Sequence, residues 1–143
     1  MSLGHPGESS ETVADTARWL EDMQPEDFDA TIITPYPGSP YYDRAEKGRD
    51  SCGDEAWIYS CANGDRLYQD DVDYTREADY YKGDPNDGYV SHVWTDFLSR
   101  TELVAARDTL ESTLRAKLGI SFNLARPAQI YEASVGQVPA HVL

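Results

Sequence analysis

The chain has 143 residues, 40% of them hydrophobic and 27% charged, with a formal net charge of −14. That length supports one domain with a real core and is short for two. The negative charge argues against nucleic acid or an anionic membrane as partner, because phosphate contacts need clustered Lys and Arg. No stretch approaches the roughly eighteen apolar residues of a membrane span.

Met1-Ser2-Leu3 has neither the basic nor the apolar region of a signal peptide and reads as a leader added in cloning; a cytoplasmic protein is the expectation. Residues from about Ser9 to Gln24 read as a helix, with Ser9 or Ser10 as cap and Glu8 and Glu11 at the positive end of its dipole. Val13, Ala17, Leu20 and Met23 recur at helical spacing as its apolar stripe, and Pro25 stops it. Phe28 to Thr34, with Ile32 and Ile33, reads as a buried strand. The prolines of Thr34-Pro35-Tyr36-Pro37-Gly38-Ser39-Pro40 cannot continue a ladder, so a stiff loop follows. Tyr41 to Lys47 is expected as a short helix, ended by Gly48.

Composition shifts at Gly48-Arg49-Asp50-Ser51, which sets the expected organisation: a leader over 1–3, a first unit over 4–48 and an extension over 49–143. In the extension Ala56–Cys61 and Arg66–Gln69 read as strands of a hairpin across Asn63-Gly64, a pair that tolerates positive φ. Asp70 to Gly88 is acidic, Tyr-rich and aperiodic, a long loop with one helical turn near Arg76–Tyr80. Tyr89–Thr95 is a third strand. Ser99-Arg100-Thr101-Glu102 is a capping box opening a helix to about Leu118, with Leu103, Ala106, Leu110, Leu114 and Leu118 as its stripe and Gly119 closing it. The tail from Ile120 is expected to be extended or partly disordered. Trp57, Tyr59, Trp94 and Phe97 are expected in the core.

Two segments carry a resemblance. Gly4-His5-Pro6-Gly7-Glu8 opens the first helix, and Thr34–Pro40 follows the strand after it. Together they resemble the end of a radical S-adenosylmethionine (SAM) barrel, in which a G-x-P-G-E segment follows the fifth strand and a T-P-Y-P-G-[ST]-P-like loop the sixth. The match covers residues 4–48, about a third of the chain. The family's C-x-x-x-C-x-x-C cluster motif is absent, so the resemblance implies the back portion of such an enzyme, with its iron ligands upstream. The implied fold is α/β (α+β for the segment by itself): the last helix–strand–helix units of a partial barrel, then a hairpin, a strand and a long helix. The implied parent cofactors are a [4Fe–4S] cluster and SAM, with cobalamin left open; this chain alone would hold none and be inactive. Gly4, Gly7 and Glu8 would line the adenosyl pocket, Glu8 in a structural role, Tyr36 could stack on a ligand, and Ser39 would cap the next helix. Read without the resemblance, the first segment is a strand-to-helix turn and the second a rigid turn with Tyr36 packed on a neighbour.

No other constellation points to chemistry. Cys52 and Cys61 fit no zinc or iron–sulfur spacing, and the three histidines, His5, His92 and His141, are scattered. Asp84-Pro85-Asn86-Asp87-Gly88 is one residue short of a calcium loop and lacks its closing Glu, so Asx turns explain it better. The carboxylates of Asp70, Asp71, Asp73, Glu77 and Asp79 read as a solvated face. A different class of reading remains beside the first: a self-contained acidic α+β interaction module without catalysis. The substrate is unknown on either reading. The strand at Phe28–Thr34, without its fifth-strand neighbour, would be an unpaired apolar edge, so a homo-oligomer is expected.

Overall fold

A computed structural model describes residues 1–72 and 90–120. The expected turn at Asp84–Gly88, the helical turn at Arg76–Tyr80, the first residue of the strand from Tyr89 and the tail beyond Ile120 lie outside these described residues. The fold is mixed α and β, with a two-stranded parallel sheet and a four-stranded antiparallel one.

The first sheet begins where a leader was expected. Ser2–Leu3 forms strand β1, with Leu3 buried. Helix α1 spans Ser10–Met23, and its N-cap Ser9 exchanges hydrogen bonds with Thr12 in a capping box. Gln24 ends it in the left-handed region at φ 48°, donating its N–H to the Leu20 carbonyl, and Pro25 prevents continuation. The chain returns as β2, Thr31–Ile32, parallel to β1 with Ser2 opposite Thr31 and Leu3 opposite Ile32. β1–α1–β2 is thus a βαβ unit. Leu20 is buried and Val13 and Ala17 pack beside it, but Met23 is 49% exposed. The last turn of the stripe has rotated away from the core.

Helix α2 covers only Pro40–Asp43. The expected helical residues that follow it, Glu46 and Lys47, belong to strand β3, Glu46–Arg49, which pairs antiparallel with β4, Glu55–Ser60. Cross-strand pairing overrides local helix preference there, and Gly48 leaves room for the Ile58 side chain, whose Cδ1 would stand 2.7 Å from a Cβ at that position. The β3–β4 hairpin therefore runs across position 48.

Strand β5, Arg66–Gln69, pairs with β4, and β6, Val93–Thr95, completes the order β3–β4–β5–β6. At the β4–β5 turn the Cys61 N–H bonds the Asp65 carbonyl and the Gly64 N–H bonds the Cys61 carbonyl. Only Gly64, at φ 95°, is left-handed. This is a three-residue loop with a bulge at its glycine rather than a two-residue turn with both φ values positive. Both cysteines are free.

Helix α3, Arg100–Leu118, matches expectation closely: Ser99 and Glu102 form the capping box and Gly119 closes it at φ 68°. Ile32, Leu67, Val93, Leu98 and Leu103 make one core cluster, joining β2, one sheet face and α3. Leu20, Ala30, Leu110 and Leu114 make a second between the helices. Ala56, Tyr68 and Trp94 form a third on the opposite sheet face. Trp57 and Tyr59 are half-buried and Trp94 is buried, but Phe97 is 61% exposed, on the turn where Thr95 accepts from the Phe97 and Leu98 amides.

Two charges lie inside the α3 stripe. Glu111 and Arg115 are buried, with Arg115 Nε donating to Glu111 Oε1 at 2.8 Å and Nη1 to Asp27 at 3.0 Å. Glu111 Oε2 accepts the Ala30 N–H at 2.9 Å, while Arg107 Nε donates to the Ala30 carbonyl at 2.7 Å. These side chains close the edge of the strand leading into β2 on the side away from β1.

Removing one partner of this pair leaves an uncompensated buried charge. Glu111→Ala is expected to lower the unfolding free energy by about 3–5 kcal/mol in urea titration. A loss below about 1 kcal/mol would mean that water solvates Arg115. Gly64→Val forces a β-branched residue into positive φ and should cost about 1 kcal/mol or more. An unchanged urea midpoint would contradict the bulged turn.

Candidate functional site

Because β1 and β2 are parallel, the loops following them, 4–9 and 33–39, emerge at the same end of the small sheet. The carboxyl ends of parallel strands are where such folds place ligands. Gly4, Gly7, Glu8 and Tyr36, the residues singled out in sequence, lie on these two loops.

The first loop is built around a buried carboxylate. Glu8 Oε2 accepts the Gly4 N–H at 3.1 Å and Oε1 accepts the Thr12 hydroxyl. The Glu8 N–H returns to the His5 carbonyl at 2.9 Å, closing a tight turn. Gly4 and Gly7 have φ of 85° and 81°, values that a side chain would strain. The Glu8 carbonyl accepts the Thr95 hydroxyl at 2.8 Å, pinning the loop to β6. Glu8 is thus structural, but as a brace inside the loop; Ser9 caps the helix.

The space beside both glycines is filled by this chain. A Cβ on Gly4 would stand 3.2 Å from methyl groups of Ile32 and Val93, and one on Gly7 would collide with the Asp65 carboxylate. The Cβ directions of those two glycines thus face Ile32, Val93 and Asp65 of this chain. The loop after β2 is different. Gly38, at φ 92°, has open space where a Cβ would be, and half-buried Tyr36 stands two residues before it. Asp43 holds the loop through the Gly38 N–H at 3.0 Å. Ser39 is the N-cap residue of α2 by position, yet its hydroxyl donates back to the Tyr36 carbonyl at 2.7 Å and makes no side-chain cap.

Between the loops sits a pair that sequence reading missed. His5 Nδ1 lies 3.2 Å from the Tyr41 hydroxyl, and its Nε2 lies 3.0 Å from the Ser2 hydroxyl. The Tyr41 ring stands edge-on to Tyr59 with centroids 4.9 Å apart, and its carbonyl accepts from Gln69 at 2.8 Å. Burial pushes the Tyr41 phenol up, with Cys61 and Tyr59 adding to the effect. The only available signal was the position of His5 inside the first motif, since Tyr41 is thirty-six residues away.

The other charged cluster lies on the opposite sheet face. Tyr68 and Trp94 stack with centroids 5.7 Å apart, and Arg100 sits 3.8 Å over the Trp94 ring. Asp96 accepts from Tyr68 at 2.8 Å and from Arg66 at 2.6 Å. Burial would raise the Asp96 carboxyl, but the Arg66 and Tyr68 hydrogen bonds outweigh it and hold it low. The Trp94 indole N–H donates to Asp50 at 3.1 Å and Arg100 pairs with Asp70, so these side chains are engaged with one another and with their neighbours, the mark of structural use. Among the described residues, no three His, Cys, Asp or Glu side chains gather as a metal site, and no helix is long and apolar enough to cross a membrane.

Comparison with protein-family models, with curated proteins and with solved structures finds no match to this chain.

The Tyr68 phenol is pushed up to about 12, first by burial and then by its bond to Asp96. Between the unfolded value of about 10 and that folded value, the native state holds a proton that the unfolded state has lost, so stability falls as pH rises through this window. A difference titration of the phenolate absorbance, wild type minus Tyr68→Phe, should have its midpoint near 12. A midpoint near the ordinary value of about 10 would mean that the hydroxyl is free in solution.

Proposed function

We propose that this chain is the closing portion of a radical SAM enzyme, comprising the last βαβ unit of a partial barrel and an extension that covers the open end of that barrel. The observation that carries the reading is topological. The two segments resembling the family's loops follow two adjacent parallel strands, joined by one helix, and so face the same way. The antiparallel sheet lies over that end through Asp65, Val93 and Thr95. A [4Fe–4S] cluster held by three cysteines in a preceding part of the enzyme would, with SAM bound and one electron supplied by an external reductant, provide the radical chemistry that takes hydrogen from substrate; cobalamin would join them in family members that carry its domain. This chain's residues contribute shape. Glu8 fixes the first loop, the sheet packs against it, and the stiff loop bearing Tyr36 and Gly38 is where this chain would meet a ligand. A reducing cytoplasm suits both an oxygen-sensitive cluster and two free thiols.

A second reading is favoured by one observation. The glycine spaces are filled and both Glu8 oxygens are bonded within the loop, as in a self-contained interaction module that needs no ligand there.

Native protein recovered anaerobically from its source separates the two. The enzyme reading expects a polypeptide well above 16.0 kDa, about four irons per chain, and release of 5′-deoxyadenosine on adding SAM and a low-potential reductant. The 143-residue chain alone should take up no cluster on anaerobic reconstitution with iron and sulfide. A native species of 16.0 kDa without iron or 5′-deoxyadenosine would leave the module reading.

A further inference from the structure

The tip of the β4–β5 hairpin carries a chemically labile dipeptide and also holds the glycine loop after β1. Asn63 Nδ2 donates to Asp65 Oδ2 at 2.7 Å, and Asn63 Oδ1 accepts the Asp65 N–H at 3.2 Å. The side-chain amide thus spends one donor and one acceptor on the same residue. The Asp65 carboxylate fixed in this way stands where a Gly7 side chain would be, its Oδ2 2.4 Å from that Cβ position. Asn63 therefore orients the group that packs on the loop.

Asparagine is a labile residue, most of all before glycine. The backbone nitrogen of the following residue attacks the side-chain Cγ, the bond from Cγ to the amide nitrogen breaks, and ammonia leaves a cyclic succinimide. Water then adds to one of the two ring carbonyls and opens the ring to aspartate or isoaspartate; water is the only co-reactant. Gly64 puts no side chain in the way, and nothing beyond its chain neighbours stands within 4 Å of where its Cβ would be. The folded turn opposes the reaction at both reacting groups. The Gly64 N–H donates to the Cys61 carbonyl at 3.0 Å, and the Asn63 amide is tied to Asp65. The turn must open before the nitrogen can reach Cγ.

We infer that Asn63 is a deamidation site guarded by the folded turn, and that its conversion uncouples the hairpin from the glycine loop. A carboxylate accepts hydrogen bonds but has no N–H to donate. At position 63 it could still accept the Asp65 N–H, yet it would set two like charges at the former 2.7 Å contact, where one must swing into water or take up a proton. Isoaspartate also lengthens the main chain inside the ring closed by the Cys61–Asp65 hydrogen bond. The loop keeps the Thr95 bond to the Glu8 carbonyl and the Gly4 bond to the Glu8 carboxylate, so it loosens without coming apart. The change is irreversible and records that the turn has opened. It uses only the hairpin and the loop, and so holds whether the chain serves an enzyme or an interaction module.

The 143-residue chain and a synthetic peptide of residues 60–67 are incubated side by side at mildly alkaline pH, and aspartate and isoaspartate at position 63 are followed by mass spectrometry. The peptide should lose ammonia several-fold faster than the folded chain; equal rates would overturn the guarding. Amide exchange then reads the coupling. Asn63→Asp should speed exchange at Gly7 and Glu8 several-fold and leave Leu110 and Leu114 of α3 unchanged. Wild-type rates at Gly7 and Glu8 would overturn the uncoupling. The reciprocal variant Asn63→Asp/Asp65→Asn again sets one amide against one carboxylate and should return the loop to its wild-type rate. Exchange as fast as in the single variant would show that this contact does not hold the loop, and the reciprocal variant decides the question even where the single one unfolds.

Discussion

The Glu111 carboxylate is the contact on which the arrangement of the two halves depends. One oxygen satisfies the Ala30 N–H, the other holds Arg115, and Arg115 reaches Asp27 and the Phe28 carbonyl. The segment Asp27–Ala30 is thereby fixed against a helix more than eighty residues later in the chain. An apolar α3 would have packed on Leu20 and Ala30 equally well. It could not have met the backbone of a strand edge, whose buried N–H and C=O each need a partner. Ion pairs of this kind contribute little net stability over an apolar replacement, so the clamp acts mainly on register. It sets where α3 crosses β2, and so where Leu103 and Leu110 enter their separate clusters.

The second constraint is the loop after β1. A carboxylate buried at Glu8 needs donors on both oxygens, and Gly4 and Thr12 provide them only if the backbone turns through left-handed residues. With no side chains at Gly4 and Gly7, the antiparallel sheet can come down until Val93 and Asp65 touch the loop. The same glycines that would let a nucleotide approach a backbone let a sheet approach it instead. Motif chemistry and packing chemistry ask for the same residue, and only the three-dimensional neighbours distinguish them.

That ambiguity also explains what the sequence could disclose. Helices α1 and α3 were legible because their signals are local: Ser9 and Ser99 as caps, leucines at helical spacing, Pro25 and Gly119 as stops. The β4–β5 hairpin was legible from Asn63-Gly64, although its bulged geometry depends on a Cys61–Asp65 bond that no dipeptide encodes. Strand β3 was not legible. Glu46-Lys47 carries ordinary helix formers, and what makes it a strand is its partner β4. Met23 and Phe97 misled in the opposite direction, since hydrophobicity gives no indication of which turn of a stripe loses contact. Glu111 and Arg115 had a readable sign, an i,i+4 pair of opposite charges sitting beside Leu110 and Leu114 on the buried face. The His5–Tyr41 contact had only the place of His5 in the first motif as a sign, because it joins the loop after β1 to α2 across a separation that the parallel pairing of β1 and β2 produces.

The compositional break near Gly48 does not coincide with a break in the core. Ile32 comes from before it, and Leu67, Val93, Leu98 and Leu103 come from after it, yet all five form one buried cluster. Tyr41 and Tyr59 pack against that cluster from the two sides of the break, and Gln69 reaches back to the Tyr41 carbonyl. Cutting the chain near position 48 would therefore uncover Ile32 and the sheet face beneath it, at a cost set by the apolar area returned to water. The extension is in this sense the second layer of the βαβ unit, supplying the face that a two-stranded sheet cannot bury alone. The loop after β1 is thus shaped by the extension, and changes in the hairpin or in β6 reach it through Asp65, Val93 and Thr95.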